Sequence, residues 1–318
     1  MRIVSLLPSL TELVCALGRR DSLVGVTHEC DHPPGVERLP WLTRSNIPAA
    51  ASGAEIDALV SSQQGSLYTL DEAKLAELAP DLILTQEQCD VCAVNEAVVH
   101  RAAAKLPGRP RVESVNPLSL DGVFAMFRRI GDLLDARAAA EALIDGYGRT
   151  TAAITDRLGP SPRRPRVLLL EWLDPPFCSG HWNPEIIERA GGREVVGRPG
   201  EASRRISWDE VAVARPEVVI LSLCGFNVDR AERELKAFAD RPEWRELRDG
   251  CSDRIAVVDG SAYFSRPGPR LETSLRIAAA VIHPDRLRDL APPEGRDWRF
   301  QSDPAEVRIP REAKEDDA

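Results

Sequence analysis

The sequence predicts an α/β protein made of two lobes joined by a long α-helix, with a ligand cleft between the lobes. Three observations predict it. Strand-like and helix-like stretches alternate along both halves, the two halves echo one another, and a long helical run separates them.

The alternation starts at the first residues. Ile3 to Leu7 reads as a strand, Pro8-Ser9 as a turn, and Leu10 to Leu17 as a helix stopped by Gly18. Leu23 to Val26 is a second short strand, which leads into the polar run Thr27-His28-Glu29-Cys30-Asp31-His32-Pro33-Pro34. Leu70 to Leu78 has helical spacing, Asp81 to Leu84 is a buried strand, and Thr85 to Cys92 is the loop that leaves it. Such alternation predicts a parallel sheet and hence a Rossmann-like lobe.

From about Leu118 to Leu158, apolar residues recur at helical spacing (Val123, Phe124, Phe127, Ile130, Leu133, Leu134), and Gly159-Pro160-Ser161-Pro162 ends the run. The second half then repeats the pattern. Val167 to Leu170 is a strand, Asp174-Pro175-Pro176 a turn, and Pro184 to Ala190 a helix stopped by Gly191-Gly192. A helix at Trp208 to Ala214 precedes strands at Val218 to Leu221 and Ile255 to Val258. The echo is visible in Asp71-Glu72, Leu75-Ala76 and Pro80-Asp81-Leu82-Ile83-Leu84, matched by Asp209-Glu210, Val211-Ala212 and Pro216-Glu217-Val218-Val219-Ile220-Leu221. The expected organisation is an N-terminal lobe at 1–116, a bridging helix at 117–160, a C-terminal lobe at 161–285, and a charged, flexible tail at 286–318.

Composition narrows the function. The 318 residues suffice for two cores, and 43% hydrophobic with 29% charged residues is the balance of a folded globular chain. A net charge of -9 disfavours nucleic acid as a partner. No apolar run is long enough to span a bilayer. Met1-Arg2 leads straight into the first strand with no export-leader pattern, and seven cysteines are too few and too uneven for a disulfide scaffold. The expectation is a cytoplasmic protein with free thiols.

Ligands of open α/β sheets sit beyond the carboxyl ends of the strands. Five cysteines fall in such loops: Cys30, Cys89, Cys92, Cys178 and Cys224, with His28, His32 and His181 beside them. Converging thiolates and imidazoles suit a soft or borderline metal, so these cysteines are candidate ligands of zinc or an iron-sulfur cluster. Equally, a free cysteine can be a small buried hydrophobe, the reading adopted for Cys15. Trp172, Phe177, Trp182, Tyr263 and Phe264 share the loops and would hold a flat, partly apolar ligand. Arg266 would either pair with an anionic ligand group or brace its own loop. Asp71 and Asp209 stand at helix starts, where capping or dipole complementarity accounts for them. No nucleophile elbow, phosphate loop, dinucleotide fingerprint or H-E-x-x-H occurs, which points to a binding protein and leaves a cysteine nucleophile as the enzymatic alternative.

From Arg2 to His283 the chain resembles the helical-backbone substrate-binding proteins of ABC importers, the cobalamin-binding members in particular. The landmarks are Ile3-Val4-Ser5-Leu6-Leu7-Pro8-Ser9 with Thr11-Glu12-Leu13, Val24-Gly25-Val26 with Asp31-His32-Pro33-Pro34, and Pro80-Asp81-Leu82-Ile83. In the second half they are Asp174-Pro175-Pro176-Phe177-Cys178-Ser179-Gly180, Gly191-Gly192, and Ser265-Arg266-Pro267 with Pro269-Arg270. The resemblance implies a cobalamin or other corrinoid, a metal chelate, gripped between the lobes and lined by Trp172, Phe177, Tyr263 and Phe264; His28, Glu29, His181, Trp182 and Arg266, read from the loops themselves, are further candidates to contact it. It also implies that Asp71 and Asp209 dock on an ABC permease if the protein is exported. Three features depart from the pattern, the first being the expected lack of the export leader that relatives carry. The loop that carries tyrosines in cobalamin binders reads His28-Glu29-Cys30-Asp31-His32, and the stretch from Trp41 to Tyr68 is longer than the usual connection.

Overall fold

The computed structural model describes residues 1–48, 51–62, 67–87, 94–160, 163–251 and 254–301. The N-terminal lobe grows from short apolar strands buried on both faces. β1 (Ile3–Ser5) runs into α1 (Pro8–Ala16), whose first position is a proline with the φ a helix needs. β2 (Leu23–Gly25) follows, then an antiparallel pair, β3 (Thr43–Ser45) and β4 (Tyr68–Leu70), with α2 (Gly53–Ser61) between its strands. α3 (Glu72–Leu78), β5 (Leu82–Gln86), α4 (Glu96–Lys105) and β6 (Arg111–Val115) complete the lobe. The parallel sheet has the order β2-β1-β5-β6. The order reverses at β1, so the crevice beyond Ser5 is where a ligand belongs.

The bridging segment is helical but not one helix. α5 (Leu120–Leu133) and α6 (Arg137–Leu158) are separated at Leu134–Ala136, where Asp135 adopts a left-handed φ of 49°. Gly131 allows the two helices to approach, since a Cβ there would lie 2.8 Å from that of Ala140. The continuous apolar periodicity concealed this break, because both helices bury faces in the same core.

The C-terminal lobe begins with the long strand β7 (Arg166–Leu173), which turns back as β8 (Pro176–Cys178) and is followed by α7 (Asn183–Arg189). After β9 (Arg193–Glu194), β10 (Arg204–Arg205) and α8 (Trp208–Ala214) come β11 (Val218–Leu221), α9 (Val228–Phe238), α10 (Pro242–Cys251) and β12 (Ile255–Val258). α11 (Leu271–Ile282) and α12 (Pro284–Leu287) lead to β13 (Trp298–Phe300). The sheet order is β10-β8-β7-β11-β12-β13, with β9 beside β7. The second half thus carries a parallel centre, β7-β11-β12, flanked by antiparallel edges.

One boundary changes. Of the expected tail, residues 286–301 are part of the lobe: β13 pairs antiparallel with β12, and Trp298 is buried with its indole N–H donated to Pro292 O. Residues 302–318 lie outside the described residues.

His283 closes α11 and its Nε2 lies 3.1 Å from Gly191 O, at the glycine that ends the turn after α7. Burial holds this imidazole below its usual value, with Arg286 adding to the effect. The unfolded chain therefore takes up a proton first, and stability falls as pH drops below about 6.5. Glu194, raised by burial to about 7, acts with opposite sign, its contribution falling as pH climbs from the ordinary carboxylate value towards 7. The difference between wild type and His283→Gln in urea titrations isolates the histidine. The variant should lose less stability between pH 7 and 5, and parallel curves would refute the assignment.

Candidate functional site

The carboxyl ends of the two parallel sheets face each other, and side chains cross between them. Arg266, in the segment after β12, donates Nη1 to Glu12 Oε1 of α1 at 3.0 Å and to Asp31 Oδ1 at 2.6 Å, and Nη2 to Glu29 O at 3.2 Å. Arg270 closes a fork on the same carboxylate, with Nε 2.9 Å from Glu12 Oε2 and Nη2 2.6 Å from Oε1. Glu12 is 3% exposed and Arg266 9%, so the centre of the charge cluster is buried in the seam between lobes, with Asp31 at its open side. Of the two roles open to Arg266 in the sequence, bracing is the one its hydrogen bonds fulfil. Gly268 packs beside it against Ser9, where even a Cβ would stand 3.3 Å away.

The polar loop after β2 lies on this seam. His28 Nδ1 is 2.7 Å from Thr43 Oγ1 on β3, and its ring is 5.6 Å from that of Tyr68 on β4. Its Nε2 is buried without a hydrogen bond of good geometry, although Glu29 Oε1 comes within 3.3 Å. The imidazole keeps the Glu29 carboxyl below the usual carboxylate range. Glu29 also lies near enough to Arg266, and to Arg230 of α9, for their charges to interact. This loop therefore joins both lobes electrostatically. Burial lowers His32 in the same segment.

Among the described residues the cysteines do not converge. Cys30 is 2% exposed, packed with Val26 and Val36, and its thiol sits between Thr11 Oγ1 at 3.1 Å and Thr27 Oγ1 at 3.2 Å. Burial pushes it above the usual thiol value. Cys178 is a core residue on β8, and burial raises its thiol as well. The metal-ligand reading of Cys30 and Cys178 is corrected accordingly: both serve as small buried hydrophobes. Cys224, after β11, is half-buried, with Sγ 3.4 Å from Ser265 Oγ. Cys89 and Cys92 lie outside the described residues. Among the described residues no three His, Cys, Asp or Glu side chains are grouped to hold a metal ion. Iodoacetamide should accordingly label Cys224 well before Cys15, Cys30, Cys178 or Cys251, as read by peptide mapping; Cys15 and Cys251 are raised by burial to about 11 and about 12. Equal labelling of Cys30 and Cys224 would contradict this placement.

The aromatic residues divide into two groups. Trp182 and Phe264 are core: Phe264 is fully buried, and Trp182 Nε1 donates to its carbonyl at 2.8 Å. Their expected ligand contact is replaced by this structural role. Tyr263 is also buried, beneath the Arg270 guanidinium, and its hydroxyl is raised to about 12 by burial. Trp172 and Phe177 are half-buried on the β7–β8 hairpin; Trp172 stands 5.1 Å from Phe226, and Phe177 lies under Arg205. His181 takes a left-handed φ of 54° beside Trp182, half-buried, and burial lowers its imidazole. At the helix starts, Asp71 caps α3 by accepting from Lys74 N. Asp209 is not a cap, since Ser207 and Glu210 form the capping box of α8, and it stays exposed in the first turn.

Thr43, Phe226 and Arg230 are not singled out by the sequence, and Glu12 and Arg270 stand there only as landmarks of the family pattern, without a role. Glu12 alone gave a signal, a lone carboxylate inside an apolar helix.

Residues 3–260 match the family described as periplasmic binding protein. A solved periplasmic heme-binding protein of Pseudomonas aeruginosa is similar over 95% of this chain and 98% of its own, with 21% identity and a TM-score of 0.68. The periplasmic vitamin B12-binding protein of Vibrio cholerae is similar over 88% and 96%, with 18% identity and a TM-score of 0.60. In sequence, a vitamin B12-binding protein of Yersinia pestis is 22% identical over 72% of this chain and 71% of its own length. At these identities the structural likenesses show the fold.

Proposed function

This chain belongs to the periplasmic binding protein family, and from that premise we propose that it reversibly binds a corrinoid-type metal chelate, such as cobalamin, between its lobes. The observation that carries this reading is His28. Its Nδ1 is anchored on Thr43, while Nε2, buried at the seam without a hydrogen bond of good geometry, has only the Glu29 carboxylate at 3.3 Å to give up for a metal. That is how proteins orient an imidazole that ligates a metal, the second nitrogen being held by a hydrogen bond. The half-buried Trp172 and Phe177 supply flat apolar area for a ring. Support also comes from relatives named for vitamin B12 and heme. The alternative of zinc or an iron-sulfur cluster finds no donor group among the described residues. Should the protein act outside the membrane in an importer, the exposed Asp209 and the α3 start at Asp71 would face an ABC permease. Among the described residues no helix is long and apolar enough to cross a membrane.

Titration with aquocobalamin, followed by visible absorbance and thermal unfolding, tests the proposal. A ligand at 100 times its Kd should add about 2.7 kcal/mol of stability. Hemin in a parallel titration separates a corrinoid site from a heme site. Absence of any shift with either chelate removes the proposal.

A further inference from the structure

We propose that α2 is an internal strap that occupies the aromatic wall of the cleft and must leave it for a chelate to enter. The inference rests on the binding site proposed above, because the gate matters only if the cleft takes a guest. α2 is joined to the N-terminal lobe through the β3–β4 pair, yet among the described residues the long-range polar contacts that seat it are made with the C-terminal lobe. Arg205 Nη2 of β10 reaches both carboxylate oxygens of Asp57 at 3.0 Å. Arg230 Nη2 donates to Ala51 O at 2.9 Å, and Gly53 N donates to Glu234 Oε2 at 3.3 Å. The last contact places a carboxylate at the positive end of the helix. Ile56 completes the seat by packing on the C-terminal core.

What α2 covers gives the contact its meaning. Gly53 lies on Trp172 so closely that a Cβ would stand 3.4 Å from the indole. Beneath it Arg230 stacks on Phe226 at 3.8 Å, and Trp172 leans on the same ring. The space left among Gly53, Ala54, Trp172, Phe226, Glu234 and Phe238 is about 160 Å³. Pockets that hold drug-sized ligands are roughly 300–1,000 Å³, so no tetrapyrrole stacks on Trp172 while α2 is seated. The seat itself is weak. It consists of a partly exposed ion pair, two hydrogen bonds and one aliphatic side chain, the kind of local structure that opens well below the global unfolding free energy.

Two substitutions in the seat of the strap push it in opposite directions. Arg205→Ala removes the ion pair to Asp57 and should speed association of aquocobalamin, or of hemin, by roughly two- to fivefold. Gly53→Ala favours the helical state of α2 and adds contact with Trp172, so it should slow association by a similar factor. Stopped-flow absorbance reads both rates, and near-ultraviolet circular dichroism confirms that each variant is folded. Hydrogen exchange gives a second readout, in which the α2 amides should lose protection on chelate addition. Binding at equal rates in all three proteins overturns the strap and leaves the chelate site standing. The same follows if α2 gains protection with guest and Arg205→Ala speeds dissociation alone, which is the behaviour of a lid. If neither chelate binds wild type or Arg205→Ala, the proposed function fails, and the gate fails with it.

Discussion

Replacing Glu12 with alanine is expected to destabilise the protein by about 3–5 kcal/mol, the range for breaking a buried ion pair by removing one partner. Three close hydrogen bonds converge on this carboxylate from Arg266 and Arg270. Without it, two largely buried guanidiniums keep Asp31 as their remaining acidic neighbour, and its side chain is half exposed. The loss comes from stranded charge more than from a missing attraction, so Glu12→Gln should cost less than Glu12→Ala while keeping the same sign. Because the cluster joins α1 to the segment after β12, the damage should also appear as looser coupling between lobes. Urea unfolding by tryptophan fluorescence measures the first effect, and hydrogen exchange in 265–270 the second. A loss below 1 kcal/mol would mean that the seam does not depend on this cluster.

The fold was legible where burial is complete and the run is bounded by breakers. β11 and β12 are short, wholly buried apolar stretches, β5 opens as one in Leu82-Ile83-Leu84, and Gly18 and Gly191-Gly192 stop helices as their types require. Elements with other patterns were passed over. α11 is buried nearly all round and so has no polar face to betray its period. β6 lies at the sheet edge with an exposed arginine at its start. β13 hides behind Pro292-Pro293 and charged neighbours, although Trp298 and Phe300 pack on the core. The site was legible only as a set of loops. Residue type does not distinguish a ligating thiol from a core one: Cys30 acquires its role from Val26 and Val36 in its own loop region and from Thr11 of α1, and Cys178 from apolar residues spread over the C-terminal lobe. Arg266 was visible as a cation, but its partner Glu12 is 254 residues away.

Removing the His28 imidazole should have the largest effect on binding. If Nε2 ligates cobalt, His28→Ala should weaken aquocobalamin binding by on the order of 100-fold and abolish the absorbance change that ligand exchange produces. Thr43→Val keeps the imidazole but frees Nδ1, so the ring loses its orientation; a loss of roughly 10-fold follows, with the spectral change retained at saturation. A corrinoid whose exposed axial position carries a methyl group cannot accept the imidazole. Its affinity should therefore be nearly the same for wild type and His28→Ala. That contrast separates ligation from packing, since a ring that merely filled space beside Tyr68 would weaken both corrinoids alike. Isothermal titration with the two corrinoids measures the difference, and equal losses would assign His28 to the wall of the cleft and leave the metal without a protein donor from this loop.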